Sequence, residues 1–544
     1  PFRHLPRHTG HFPPPHSSAP RGSSLKPKPY LPARHARLKM EGGSELGYAP
    51  IVDLPDGVYR YGPRETRDRV HAWGFGLTFL ATFGMGIFAI TNVNPHYEKL
   101  ADPSMMKSAS HCMVRTAAET TMYGTRLSED DTIDGATFFK DSKYWLLFSL
   151  FGAAFVGVCF LALFRSCARQ TVWGIIYLKV FALAAVGVSA LSTDGGSVAG
   201  IILLVLAALS AFVFYLWRVE IELVARLLSV AAKSLQDNPH IITAVVFLKL
   251  CLLCVLVPVG AFIGAAYMNG EVVFNPDARQ SSSKHGGCVS TDKDEHGDDV
   301  PCCVWQTDGW ASAYIGLAAL VALWTVMLAF EARNYTVGGV VAQWYFAAPG
   351  TSTFKGTTVS ALRNAAGPSF GSLCFGSLVL TAVTMAREIG RNARRNADRA
   401  GGGMAVLVCL LTTCLDCMYA LVEYISKFAT IQCAITGAGF CDSARSVSQL
   451  LANNFLSAYG VWWLPGMIMT AASFLLSAAY GAAVGLASYA TWSASSDSHP
   501  DAGTEAVILG VVAFALAIII LQFCISVLLN VVDAVFICYA MDLD

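Results

Sequence analysis

The chain has 544 residues, of which 54% are hydrophobic and 14% charged, and 38 basic side chains balance 38 acidic ones. Soluble domains carry roughly a quarter charged residues, so a water-dispersed globule of this size is excluded for lack of polar surface. A balanced total also gives no reason to expect a nucleic-acid partner.

Residues 1–39 hold eight Lys or Arg, no acid, and many Pro, Ser and His, a composition that stays disordered. Plastid and mitochondrial targeting segments share that bias. With Pro1 in first place and the first methionine at Met40, over-extended translation is the favoured reading of 1–39. We expect 1–69 to be a disordered cytoplasmic segment, and the first apolar run to serve as the membrane signal.

A helix needs about 20 apolar residues to cross roughly 30 Å of hydrocarbon. Such runs recur over 71–91, 143–164, 171–191, 197–217, 241–268, 310–347, 369–390, 404–425, 461–490 and 505–535. They do not alternate polar with apolar residues, which excludes a transmembrane β-barrel. The expectation is an all-α polytopic membrane domain over 70–544 with about ten spanning helices and outer loops at 92–142 and 269–309. The run from Trp310 to Phe346 is long for one crossing, and 333–347 reads as its broken continuation.

Short cytoplasmic loops are rich in Lys and Arg. By that rule Arg60, Arg64, Arg67 and Arg69 keep the N-terminus inside, as Arg165 and Arg169 do the second loop and Arg218, Arg226 and Lys233 the fourth. The base-free 192–196 and the acidic 269–309 face out, and both termini are expected inside. Arg387, Arg391, Arg394, Arg395 and Arg399 break the alternation; either the rule fails there or 369–425 is a re-entrant pair. Segment 426–456, with Lys427 and Arg445, reads as an amphipathic cytoplasmic stretch.

Most of the 16 cysteines fall in apolar runs, where Cys acts as a small hydrophobe; Cys414-x-x-Cys417 is expected to pack in a core. Cys288, Cys302 and Cys303 share one outer loop, and a disulfide of Cys288 with Cys302 or Cys303 stands beside free thiols as an open alternative. His285 and His296 lie among acids of that loop, which reads as a solvated acidic loop rather than a metal site. No cofactor is expected. The N-x-S/T site Asn334-Tyr335-Thr336 falls inside an apolar run, out of reach of glycosylation.

Ionisable groups at membrane depth cost several kcal/mol unless paired or hydrated. Lys179, Lys249, Glu331, Asp416, Glu423 and Asp533 are the candidates, with Lys179 expected to snorkel. Glu331 stands two residues from Arg333, so a structural ion pair and a transport role are both open. Asp416, Tyr419 and Glu423 share one helical face. Such an acidic, aromatic face suits an organic cation, or it is a helix end meeting solvent. Quaternary ammonium groups donate no hydrogen bond and are held by aromatic faces at ~0.5–2 kcal/mol each. Trp324, Trp344, Tyr345, Phe346 and Phe375 are candidate cage walls, with interface belts as the alternative. Gly338 and Gly339 would let the backbone bend or a neighbouring helix come close.

These residues resemble the choline transporter-like family. Val337–Phe346 is similar to its "AGA-x-A-x-(W/Y)-Y-(W/F)" block, with Gly338 for the first alanine. Ser369–Leu378 is similar to "H-L-G-S-L-A-F-G-S-L", with Ser369 in place of the histidine. Gln432–Ala444 matches the end of a third block and lacks its Asn-Ala-Tyr opening, while Val532–Asp542 matches "V-D-x-x-F-x-C-(F/Y)-x-x-D". The Arg218–Pro239 linker and the Gly62–Asp68 approach to the first helix add to the likeness, and the short first outer loop is more like plant, fungal or algal members.

The resemblance implies a transporter of choline or a related amino-alcohol such as ethanolamine, proton-coupled in one version, in the plasma membrane or an organellar one. Its cage would be Trp324, Glu331, Trp344, Tyr345, Phe346, Phe375, Asp416, Tyr419 and Glu423, and Trp344→Ala should lower uptake. Its partners would be that cationic substrate and membrane lipids, with the oligomeric state open. A membrane scaffold of the same fold, organising lipid without transport, is the alternative. An enzyme is not expected, since no His/Asp constellation or phosphate-cradling loop is present.

Overall fold

The computed structural model describes residues 59–60, 64–94, 97, 143–191, 197–274, 303–347, 357–400, 403–453, 455–493 and 502–543, all within one unit spanning 55–544. In chain order the helices are α1 (Arg69–Thr91), α2 (Lys143–Leu191), α3 (Ser197–Leu216), α4 (Arg218–Asp237), α5 (His240–Tyr267), α6 (Gly309–Tyr345), α7 (Thr357–Ala366), α8 (Phe370–Ala400), α9 (Gly403–Thr436), α10 (Phe440–Asn453), α11 (Phe455–Ser493) and α12 (Ala502–Leu543). Strands β1 (Gly270–Phe274) and β2 (Cys303–Thr307) form an antiparallel hairpin between α5 and α6, with Gly270 opposite Thr307. That hairpin was not expected from the sequence; the class remains all-α.

Among the described residues, nine helices are long and apolar enough to cross a membrane: α1, α2, α3, α5, α6, α8, α9, α11 and α12. Large apolar side chains such as Phe151, Leu206 and Ile519 stand exposed on them, a surface only lipid can cover. The chain is a multi-pass membrane protein. These nine fit the expected ten or so crossings, because 143–164 and 171–191 are joined in α2 across a kink. Its backbone leaves helical geometry at Cys167 (φ −133°, ψ 33°), with about 24 residues, or roughly 36 Å, on either side. The first half packs on α11 and α12: Tyr480 donates to the Ser149 carbonyl at 2.9 Å and Trp145 meets Trp492 edge-on. The second half carries Gly187 against Leu204 of α3.

Three more expectations change. The 333–347 segment is no broken continuation, because α6 runs unbroken from Gly309 to Tyr345. Its glycines serve close approach instead: a Cβ at Gly338 would press on Ile431 of α9, and one at Gly339 on Ala361 of α7. Of the two readings of 369–425, helix length fits two full crossings, since α8 and α9 have 31 and 34 residues. Residues 426–436 are not a cytoplasmic stretch, because they complete α9; only α10 beyond them is short and amphipathic. Cys414 and Cys417 are both exposed free thiols rather than core, since the apolar surface they face is the membrane. Lys179 is exposed, and Asn334 to Thr336 are buried in α6.

The largest core gathers around the last third of α12, where every residue from Asn530 to Cys538 is buried. The amphipathic α4 lies against it, burying Ile221, Val224, Leu228, Ala231 and Leu235 at helical spacing.

The segment before α1 ties the neighbouring helix ends together. Arg64 donates to the carbonyls of Cys433 (3.3 Å) and Ala434 (2.6 Å), and to the Tyr335 hydroxyl. Those carbonyls belong to the last turn of α9, where helical donors run out; Gly437 at φ 72° ends that helix and its N–H also reaches the Cys433 carbonyl at 2.9 Å. Asp68 accepts from the Ser372 hydroxyl (2.6 Å) on α8 and the Phe440 N–H (3.4 Å) that opens α10. Gly371 allows this contact, since any Cβ there would strike the Arg67 and Asp68 carbonyls. Arg64→Ala should therefore cost about 1–3 kcal/mol of stability, read as a lower melting temperature of the purified protein. An unchanged melting temperature would show the strap to be dispensable.

Candidate functional site

Four charged side chains meet inside the bundle. Glu331 of α6 is 1% exposed and Asp533 of α12 is 5% exposed. The Ser426 hydroxyl on α9 donates to Glu331 Oε1 at 2.6 Å. One residue on, Lys427 makes an ion pair with Asp533. Arg333 holds its guanidinium over the Phe330 ring, 4.2 Å from its centre, and feels both carboxylates. Lys427 in turn acts on Glu331 as well as on Asp533. From α5, Lys249 lies over the Phe523 ring at 4.6 Å.

Local sequence explains the convergence. Glu331 is 22 residues from one end of α6 and 14 from the other, which places it near the middle of a spanning helix. Gly338 brings α9 close to α6, so Ser426 and Lys427 face Glu331 across a narrow gap. The two acids and two bases sum to zero, so the cluster is balanced as a whole. It is not satisfied atom by atom. Arg333 Nε, Asn334 Oδ1 and Asn530 Nδ2 are buried and find no hydrogen-bond partner among the described residues, while Thr430 joins Ser426 in hydrogen bonding to Glu331. Buried polar atoms are nearly always paired, so these exceptions mark the cluster as the candidate site.

Two expected cage residues share an aromatic nest on the same side of α6. The Trp324 ring meets Phe75 edge-on at 5.2 Å, and its indole N–H donates to the Cys374 carbonyl (3.2 Å) and the Ser377 hydroxyl (3.1 Å). Phe375 stacks near His71 (4.4 Å) and Phe440 (5.6 Å). Trp324, Phe75 and Phe440 belong to one core cluster, with Phe375 and Phe370 packed on it. Two helical turns, roughly 10 Å, separate Trp324 from Glu331 along α6.

The remaining expected residues stand elsewhere. Trp344 is twenty residues beyond Trp324 on α6, roughly 30 Å along the axis, and its N–H donates to Asp237 at the end of α4 (3.1 Å). Tyr345 and Phe346 meet edge-on at 5.0 Å beside it. Asp416 is already paired, with Arg387 and, at 3.8 Å, with Arg391. Tyr419 carries that same Arg387 over its ring at 4.5 Å, and Glu423 is exposed. The acidic, aromatic face of α9 is thus occupied by an arginine of α8. Cys288 and Cys302 lie outside the described residues, as do His285 and His296; for Cys303 only the backbone is described.

Sequence reasoning missed Lys427 as a member of the cluster, and Arg333 entered it only as an ion-pair alternative for Glu331. Lys427 had a findable signal: it is the one base within the apolar run 403–436. Truncating Lys427 to Met should cost about 3–5 kcal/mol by stranding Asp533, whereas Lys427→Met with Asp533→Leu should recover most of the loss. Equal losses in chemical unfolding of the single and double variants would show that the pair is not the cause.

Comparison with known proteins follows the same residues. The chain is 25% identical over 358 residues to a CTL-like protein of Dictyostelium discoideum, covering 62% of each chain. It is 22% identical over 402 residues to protein PNS1 of Saccharomyces cerevisiae, covering 72% of this chain and 66% of that one. Against choline transporter-like protein 5-A of Danio rerio it is 33% identical over 137 residues, or 25% and 20% of the two chains. It spans 62% of the length of the Dictyostelium relative and 43% of PNS1 from Cryptococcus neoformans. Residues 201–544, which carry the whole charge cluster, match the family model described as plasma-membrane choline transporter. The chain belongs to the choline transporter-like family.

Proposed function

We propose that this protein is a membrane transporter of choline or a related amino-alcohol such as ethanolamine, and that Glu331 receives the cationic nitrogen. The supporting observation is a carboxylate buried near the middle of a spanning helix and held by hydroxyls of α9 rather than by a basic side chain. No lysine or arginine nitrogen lies within ion-pair distance of Glu331 among the described residues. A buried carboxylate in that position is held either as the neutral acid or against a cation. Exchange of a proton on Glu331 for an ammonium keeps the balance of the cluster, and that exchange couples transport to protons.

Trp324 and Phe375 are the aromatic walls in this reading, because they stand in the nest two turns from Glu331. The quadrupole of each ring face adds ~0.5–2 kcal/mol for a methylated ammonium. Trp344, Tyr345 and Phe346 lie too far along α6 to close the same cage and line its end instead. Alternating exposure of such a midplane site to the two sides is the general logic of secondary transporters.

Radiolabelled choline and ethanolamine uptake into vesicles reconstituted with the purified protein tests this. Glu331→Gln should abolish uptake at unchanged protein level. Trp324→Ala should lower it about fivefold or more, and Trp344→Ala should have the smaller effect. An acidic vesicle interior should drive wild-type uptake, since the proton leaves as substrate enters. Wild-type uptake by Glu331→Gln would remove Glu331 from the site, and no uptake by any form would leave a non-transporting membrane scaffold.

A further inference from the structure

A second polar feature lies apart from the charge cluster, at the break in α2. Cys167 separates two membrane-crossing halves of α2, so the break stands at a membrane boundary. The α3–α4 junction at Trp217 stands at the same boundary, because Arg169 Nε pairs with Glu222 of α4 at 2.9 Å. Between them opens a groove of about 950 Å³ whose lining includes Arg169, Trp173, Tyr177, Arg218, Glu222 and Arg226.

Three arginines face one carboxylate there. Glu222 is shared, accepting Arg169 at 2.9 Å and Arg226 at 3.6 Å. Both guanidinium groups remain largely exposed, at 72% and 75%. Arg218 is engaged with the Tyr215 ring rather than with an acid. Trp173 and Tyr177, 5.7 Å apart, continue the groove up the membrane-facing side of α2, where Tyr177 is exposed. Trp and Tyr favour the level of the headgroups. Excess positive charge and interfacial rings therefore meet at one depth.

We propose that this groove binds the phosphate headgroup of an anionic phospholipid, with Arg169, Arg218 and Arg226 on the phosphate and the acyl chains running along Trp173 and Tyr177. Arginine forks match phosphate oxygens two at a time. Glu222 competes for the same guanidinium groups and sets the affinity down. A free phosphate ester has the same chemistry at its head but gains nothing from the ring-lined wall.

Binding of a fluorescent phosphatidic acid to the full-length purified protein in detergent tests the site. Replacement of Arg169, Arg218 or Arg226 by Gln should weaken binding roughly fivefold each, and the triple replacement should abolish it. Glu222→Gln should tighten binding, an outcome that misfolding cannot mimic. Inorganic phosphate should compete only weakly if the occupant is a lipid; equal competition by phosphate would assign the groove to soluble phosphate instead of the membrane. Unchanged affinity in the triple variant, or weaker binding in Glu222→Gln, would overturn the assignment.

Discussion

The structure turns on one constraint, the cost of holding Glu331, Arg333, Lys427 and Asp533 inside a bundle whose outside is hydrocarbon. Isolated charges at that depth are worth several kcal/mol of instability each, and the fold meets the cost by convergence. Three helices distant in the chain must bring opposite charges together, so α6, α9 and α12 cannot slide past one another freely. Replacing an ion pair by apolar residues is often neutral or stabilising, so such a cluster is poorly explained as a device for stability. Arg333 Nε, Asn334 Oδ1 and Asn530 Nδ2 beside it find no partner among the described residues, which fits the proposed exchange of guests.

The rest of the bundle makes that cluster rigid from both directions. Along the chain, Gly338 and Gly339 admit α9 and α7 to close contact with α6. At the end nearer Arg64, the approach to α1 seals the last turn of α9 and the first of α10. Trp324 ties α6 to α8 through two hydrogen bonds. A strap, a glycine seam and an indole thus hold the helices that carry Ser426, Lys427 and Glu331.

Much of the architecture was legible in the chain because membrane spans announce themselves by length and hydropathy. The misplaced boundaries share one physical cause. Lys427 looked like a helix end because a lone charge in an apolar run usually meets water, and only Asp533, over a hundred residues away, reveals why it is buried. Asp416 and Tyr419 looked available because periodicity shows which residues share a face but not what lies opposite; Arg387 lies opposite. The aromatic walls divided because Trp324 and Trp344 are near neighbours in composition yet roughly 30 Å apart on a straight helix. The arginines from 387 to 399 follow a full-length α8 away from Ser372 and Asp68, so the charge rule and the helix lengths disagree there, and helix length decides.

Locating bound substrate is the most direct measurement of the central claim. A structure of the purified protein determined with choline, or with a heavy-atom analogue of it, would reveal where the nitrogen rests. Density for the ammonium within about 6 Å of the Trp324 or Phe375 ring, on the side of α6 that bears Glu331, is the predicted result. Density confined to the Trp344–Phe346 end, or beside Asp416 and Tyr419, would contradict it.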